Sequence, residues 1–127
     1  MPTIIRNGIT YGGGGSGSGA IMFDLLWTNA SPNSTFAMQT IELDLTGYTA
    51  VYFYYKMLAS ADDSSYGSKL YLINDKDFTL AEGYYDKNNI IFRTAWIDAK
   101  GIVFGNAKKN GGSNNSVIIP YKIYGVK

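Results

Sequence analysis

The chain has 127 residues, eleven basic against ten acidic side chains for a formal net charge of +1, and neither cysteine nor histidine. That length is one domain's worth, able to bury roughly two-thirds of its unfolded surface without disulfide staples. The missing residue types exclude disulfides, thiolate chemistry, Ser-His-Asp hydrolysis and most zinc sites, and no basic stripe marks a nucleic-acid binder.

In chain order, 3–11 is a short β-prone segment containing Asn7-Gly8, the dipeptide favoured in two-residue hairpin turns. Six glycines and two serines make up 12–19, a composition that spans on average about 15 Å. It reads as a hinge, or in part as an engineered run, and no Gly-Lys-Ser/Thr follows it to suggest a phosphate loop. The expected division is therefore 1–19, an N-terminal strand or hairpin on a Gly-rich tether, and 20–127, the body. The start of the chain lacks the basic-then-apolar pattern of a signal peptide, and no run reaches the roughly 18 apolar residues that span a membrane.

From 20 onward strands and breakers alternate at the spacing of a sandwich or barrel. The organising stretch is 24–57. Within it Ile41, Leu43 and Leu45 alternate with Glu42 and Asp44, predicting a strand over 36–45 with its leucines in the core. Thr46-Gly47-Tyr48-Thr49 turns the chain into 51–57, where Val51, Phe53, Tyr55 and Met57 share one face and Tyr52, Tyr54 and Lys56 the other. Further strands are predicted at 21–28, 69–74, 78–85, 90–98 (Ile90, Phe92, Thr94 and Trp96 on one face), 101–104 and 117–124. Pro120 marks the last as an edge strand or a bulge. Long polar loops are predicted at 59–68 and 106–116, and no segment carries a capped helical period. The expected fold is a single all-β antiparallel sandwich, jelly-roll-like, of about eight strands.

Asp62-Asp63, Asp75 with Asp77, and Asp98 are the acidic groupings that chemistry would need, as paired carboxylates or as calcium ligands. Asp in a turn more often caps local amides, the spacing fits no EF-hand, and none of these acids sits in an apolar run. The expectation is no catalytic residue, no metal and no cofactor. Eleven tyrosines are the more specific oddity. A strand aromatic on both faces suggests a subunit interface through Tyr52, Tyr54 and Lys56, or a sugar platform, against the plain alternative of β-propensity on a solvated sheet.

The C-terminal run 114–127 (Asn-Asn-Ser-Val-Ile-Ile-Pro-Tyr-Lys-Ile-Tyr-Gly-Val-Lys) is joined by Asp24-Leu25-Leu26-Trp27-Thr28-Asn29, Phe36-Ala37-Met38-Gln39-Thr40 and Leu43-Asp44-Leu45-Thr46-Gly47-Tyr48. Together these resemble C-terminal modules of tail fibre and minor structural proteins of phages and prophages of gut Firmicutes. The likeness covers roughly 23–127 in motif order, little of it in 59–78, and has no catalytic content. It implies a virion protein, synthesised in the bacterial cytoplasm, homotrimeric at a fibre tip beside other tail proteins and contacting a surface glycan or protein. The long shaft of a full fibre is missing, and a solitary carbohydrate-binding module or a ligand-free cap that trimerises a fibre are the alternatives. For recognition, the two long loops supply the candidates: Asp62, Asp63, Ser64 and Tyr66 in one, and Lys108, Lys109 and Asn114 in the other. Neither nucleic acid nor membrane insertion is expected.

Overall fold

The computed structural model describes residues 22–127 apart from 64, 75 and 76, and apart from the side chains of 84–86. The expected strand or hairpin at 3–11 and the tether at 12–19 lie outside the described residues. Among the described residues nine strands form: β1 (Phe23–Thr28), β2 (Gln39–Glu42), β3 (Ala50–Leu58), β4 (Tyr66–Leu72), β5 (Asp77–Asp86), β6 (Asn89–Asp98), β7 (Gly101–Lys109), β8 (Gly112–Ser113) and β9 (Val117–Val126). Every ladder is antiparallel. One sheet runs β1-β9-β3-β4 and the other β2-β7-β6-β5, with β8 paired to β7. The fold is all-β, and no described residue is helical.

The wrap is that of a jelly roll where chain ends meet: β1 and β3 flank β9, and β2 pairs β7. In the middle it is more local, since β3–β4 is a hairpin and β5-β6-β7 a meander. The core lies between the layers. Val51 and Phe53 of β3 and Ile123 of β9 face Leu80, Ile91, Ile102 and Phe104 of the five-stranded sheet, all of them buried. Phe104 meets Phe53 and Phe36 edge-on at 6.0 and 5.4 Å between ring centres. Burying each such side chain is worth about 1.5–3 kcal/mol.

Arg93 sits fully buried in this core, and among the described residues its partners are backbone carbonyls. Its guanidinium donates to four backbone carbonyls: Nε to Ile118 at 2.7 Å, Nη1 to Gly105 at 2.6 Å, and Nη2 to Phe36 at 2.9 Å and Val117 at 3.3 Å. It also lies 5.3 Å from the centre of the Phe36 ring. Burial lowers its pKa to about 10, so it remains a cation at neutral pH. One side chain thus ties together the approach to β2, the middle of β7 and the start of β9. There Ile118 takes a φ of 49°, a conformation that a β-branched residue avoids unless its surroundings hold it.

Several sequence expectations are corrected. The stretch 36–45 pairs as a strand only over Gln39–Glu42, because Leu43 donates to Lys100 O at 2.9 Å and the chain then crosses to the other layer. Its alternation is real nonetheless: Ile41, Leu43 and Leu45 pack half-buried against the core, while Glu42 and Asp44 are exposed. In β6 the residues expected to share a face, Ile90, Phe92, Thr94 and Trp96, do share one and turn outward, and the buried face is Ile91, Arg93 and Ala95. The region 106–116 is largely hairpin rather than loop. β7 continues to Lys109 and turns at Asn110 and Gly111, with φ of 54° and 87°, as the Asn-Gly dipeptide prefers. Pro120 is not on an edge, since β9 lies between β1 and β3; a bulge accompanies it, where the register slips opposite Tyr54 and Tyr55.

Candidate binding face

Four connections gather at one end of the sandwich. Ala59 N donates to Ser116 O at 2.8 Å, joining the roots of both candidate loops. Phe36 N donates to Asn115 O at 2.9 Å, and Ile90 N to the Asn110 side chain at 2.9 Å, bringing in the β1–β2 connection and the β5–β6 turn. The predicted loops are therefore neighbours, but their polar groups serve the turns themselves. Asp63 accepts from Leu58 N at 3.0 Å and Ser65 N at 3.1 Å. Asp62 is exposed, its amide donating to Ser60 Oγ at 3.2 Å. Asn114 accepts from Ser116 N at 3.0 Å, and Lys108 Nζ donates to Ser113 Oγ at 3.3 Å across the hairpin. Lys109 stands on β7 opposite Ile91 and Gly112. Ser64 lies outside the described residues.

Tyr66 behaves differently. It belongs to β4 rather than to a loop, and its side chain rises from the outer face of the four-stranded sheet, 45% exposed. In register, Tyr66 pairs Lys56 and Ser68 pairs Tyr54, so Tyr66 and Tyr54 are diagonal neighbours within reach of each other. Their rings are parallel within 3°, with centres 5.3 Å apart. Tyr121 joins them at 5.9 and 6.1 Å, tilted by 33° and 34°. The bulge in β9 places it there, since an extra residue re-aims the side chain that follows Pro120. Lys122 Nζ lies 5.4 Å from the Tyr121 ring centre. Burial, and secondarily Tyr66 and Tyr121, push the Tyr54 hydroxyl up from its ordinary value, which keeps it a proton donor at neutral pH.

Lys56, an interface candidate, is 2% exposed. Its ammonium donates to Ser60 O at 2.7 Å and to the Asn33 side chain, clamping the β1–β2 and β3–β4 connections beneath Tyr66, whose ring centre lies 5.9 Å away. It supports the tyrosine platform from below. Tyr52, the remaining interface candidate, belongs to a second aromatic group with Phe23 and Tyr124, at 5.4 and 6.1 Å. Burial raises the Tyr124 hydroxyl, with Tyr52 and Tyr54 adding to the effect.

Sequence reasoning missed Tyr121 as a site residue. The available signal was Pro120, which breaks the ladder one position earlier. The arrangement offers ring faces, phenol hydroxyls and one ammonium on a rigid sheet. Among the described residues, no group of three or more acidic, histidine or cysteine side chains is placed to hold a metal ion. Comparison of the chain with family models, with curated proteins and with solved structures yields no match.

Proposed function

We propose that this domain is a tail-associated phage or prophage protein that recognises a bacterial surface, a glycan above all, through the outer face of its four-stranded sheet. The observation that carries the reading is the Tyr54–Tyr66–Tyr121 platform at the edge of the loop-bearing end. Tyrosine rings cover the apolar face of a sugar while their hydroxyls bond its polar rim. The platform is held on strands, so little ordering is needed on contact. Binding alone is the mechanism, with no titrating group required. The tail context comes from the sequence resemblance, and the contact surface from the geometry. The loops first considered for recognition give way to the platform because Asp63, Lys108 and Asn114 already bond within their own turns.

A second reading is a cap that trimerises a fibre through Tyr52 and Tyr54 and binds no ligand, favoured by the apolar residues on the same face. Labelled protein incubated with whole cells of a panel of gut Firmicutes separates the two. Saturable binding to some strains, competed by their isolated surface polysaccharide, supports recognition. Absence of binding to every strain, together with a trimer by sedimentation at micromolar concentration, favours the cap.

A further inference from the structure

The outer face of the four-stranded sheet has a second half, beyond the tyrosine platform, that is apolar and faces water. Leu25, Tyr124, Tyr52 and Leu70 stand opposite one another in register, a row crossing β1, β9, β3 and β4. The next row is Phe23, Val126, Ala50 and Leu72, in which Ala50 is buried, Phe23 and Val126 are half-buried and Leu72 is open. Leu25 and Leu70 are each 54% exposed and Leu72 56%, and neither row contains a charged residue. Open apolar surface of this extent on a sheet calls for a cover.

We infer that the cover is the chain's own segment 3–11, lying across these two rows. Three observations favour this occupant over another molecule. The segment carries Ile4, Ile5, Ile9 and Tyr11 within nine residues, the β-prone apolar content that such a face would bury. It is joined to the face at the right place, because the chain enters the sheet at Phe23, the first residue of the second row. The reach also fits. A Gly/Ser stretch of the 12–19 composition spans about 15 Å, and the four strands span about 14 Å between edges. A segment so tethered is present at millimolar effective concentration, which a second copy at micromolar concentration does not match. The inference does not rest on the surface-recognition reading, since the Tyr54–Tyr66–Tyr121 platform lies outside the two rows. It does compete with trimerisation through Tyr52.

The absence of native cysteine makes the test clean. Full-length protein carrying Ile5→Cys with Leu70→Cys, or Ile9→Cys with Leu72→Cys, is oxidised at micromolar concentration, and its free thiols and product size are followed with time. The control pair is Ile5→Cys with Met38→Cys, since Met38 is exposed just before β2 of the other sheet. Each substituted position on the sheet is more than half exposed, so folding is preserved and is verified by an unchanged melting curve. Monomeric product closing at least about tenfold faster than the control in either pair is the expected result. Closure of both pairs no faster than the control overturns the inference. Disulfide-linked dimers or trimers as the main product also overturn it, and assign the face to a second copy.

Discussion

In the connection at 59–65 the Asp63 carboxylate takes two backbone amides, and near 114–116 Asn114 takes the Ser116 amide of its own turn and Asn115 the Ala107 amide of β7. One residue beyond the first of these turns, Tyr66 begins a strand and leaves nearly half its surface in water, its ring packed against other rings and the Lys56 ammonium. Both regions looked equally polar and equally available in sequence. The difference is geometric: a short polar side chain in a turn reaches its own backbone, whereas a ring on a pleated sheet stands away from it. Polar content in a loop is thus a poor guide to a binding site when the loop is short enough to consume it.

Arg93 carries the consuming side of the contrast to its limit, and removing it is the largest perturbation predicted. Arg93→Met leaves the carbonyls of Phe36, Gly105, Val117 and Ile118 buried without their donor, and a backbone acceptor cannot be deleted in compensation. A loss of more than about 3 kcal/mol is expected, a large part of a small domain's stability. Urea denaturation measures it, and a midpoint within error of the parent shows that the cage is dispensable. Leu43→Asp comes next, at several kcal/mol, because it puts a charge against the core, while Glu42→Lys one position earlier stays within about 0.5 kcal/mol. Equal losses from the two would place the dry face of this stretch elsewhere.

The architecture was legible where a period was uninterrupted. Ile41 to Leu45 showed its dry face even though only part of that stretch pairs, because alternation reports burial rather than hydrogen bonding. β3 was legible from its β-branched and aromatic run. In β6 the shared face of Ile90, Phe92, Thr94 and Trp96 was legible but not which face is dry, since an arginine flanked by Ile91 and Ala95 is assigned to water until its four acceptors are known. Those acceptors come from three distant segments, which no local pattern reveals. The β7–β8 hairpin was missed although Asn110-Gly111 announces it, because the lysines and asparagines around it read as a loop. Of the site, Tyr54 and Tyr66 were singled out, but their stacking depends on the β3–β4 register and Tyr121 on a bulge.

Alkaline titration sharpens the contrast on the tyrosine side with a smaller effect. Burial raises Tyr54, Tyr55 and Tyr124 above their ordinary value of 10.0, and a hydrogen bond to Asp24 raises Tyr48. Above about pH 10 the unfolded chain releases these protons first, so their contribution is intact below pH 10 and is lost as pH rises through the folded values. Arg93 acts oppositely above about pH 10, since there the unfolded chain holds its proton more tightly. The tyrosine part is read by difference, with the Arg93 contribution common to both proteins. Above pH 10 the melting temperature of Tyr54→Phe should decline less steeply than the parent's, and an equal or steeper decline contradicts the assignment.

The most direct measurement pairs one residue from each region in the cell-binding assay, with melting temperature recorded alongside. Asp63→Ala removes two turn bonds and should cost about 1–2 kcal/mol of stability while leaving cell binding at the parental level. Tyr66→Ala removes an exposed ring stacked on Tyr54 and should cost no more than about 0.5–1.5 kcal/mol while lowering binding at least about tenfold. The reverse pattern, with binding lost in Asp63→Ala and kept in Tyr66→Ala, would return recognition to the loops and contradict the account.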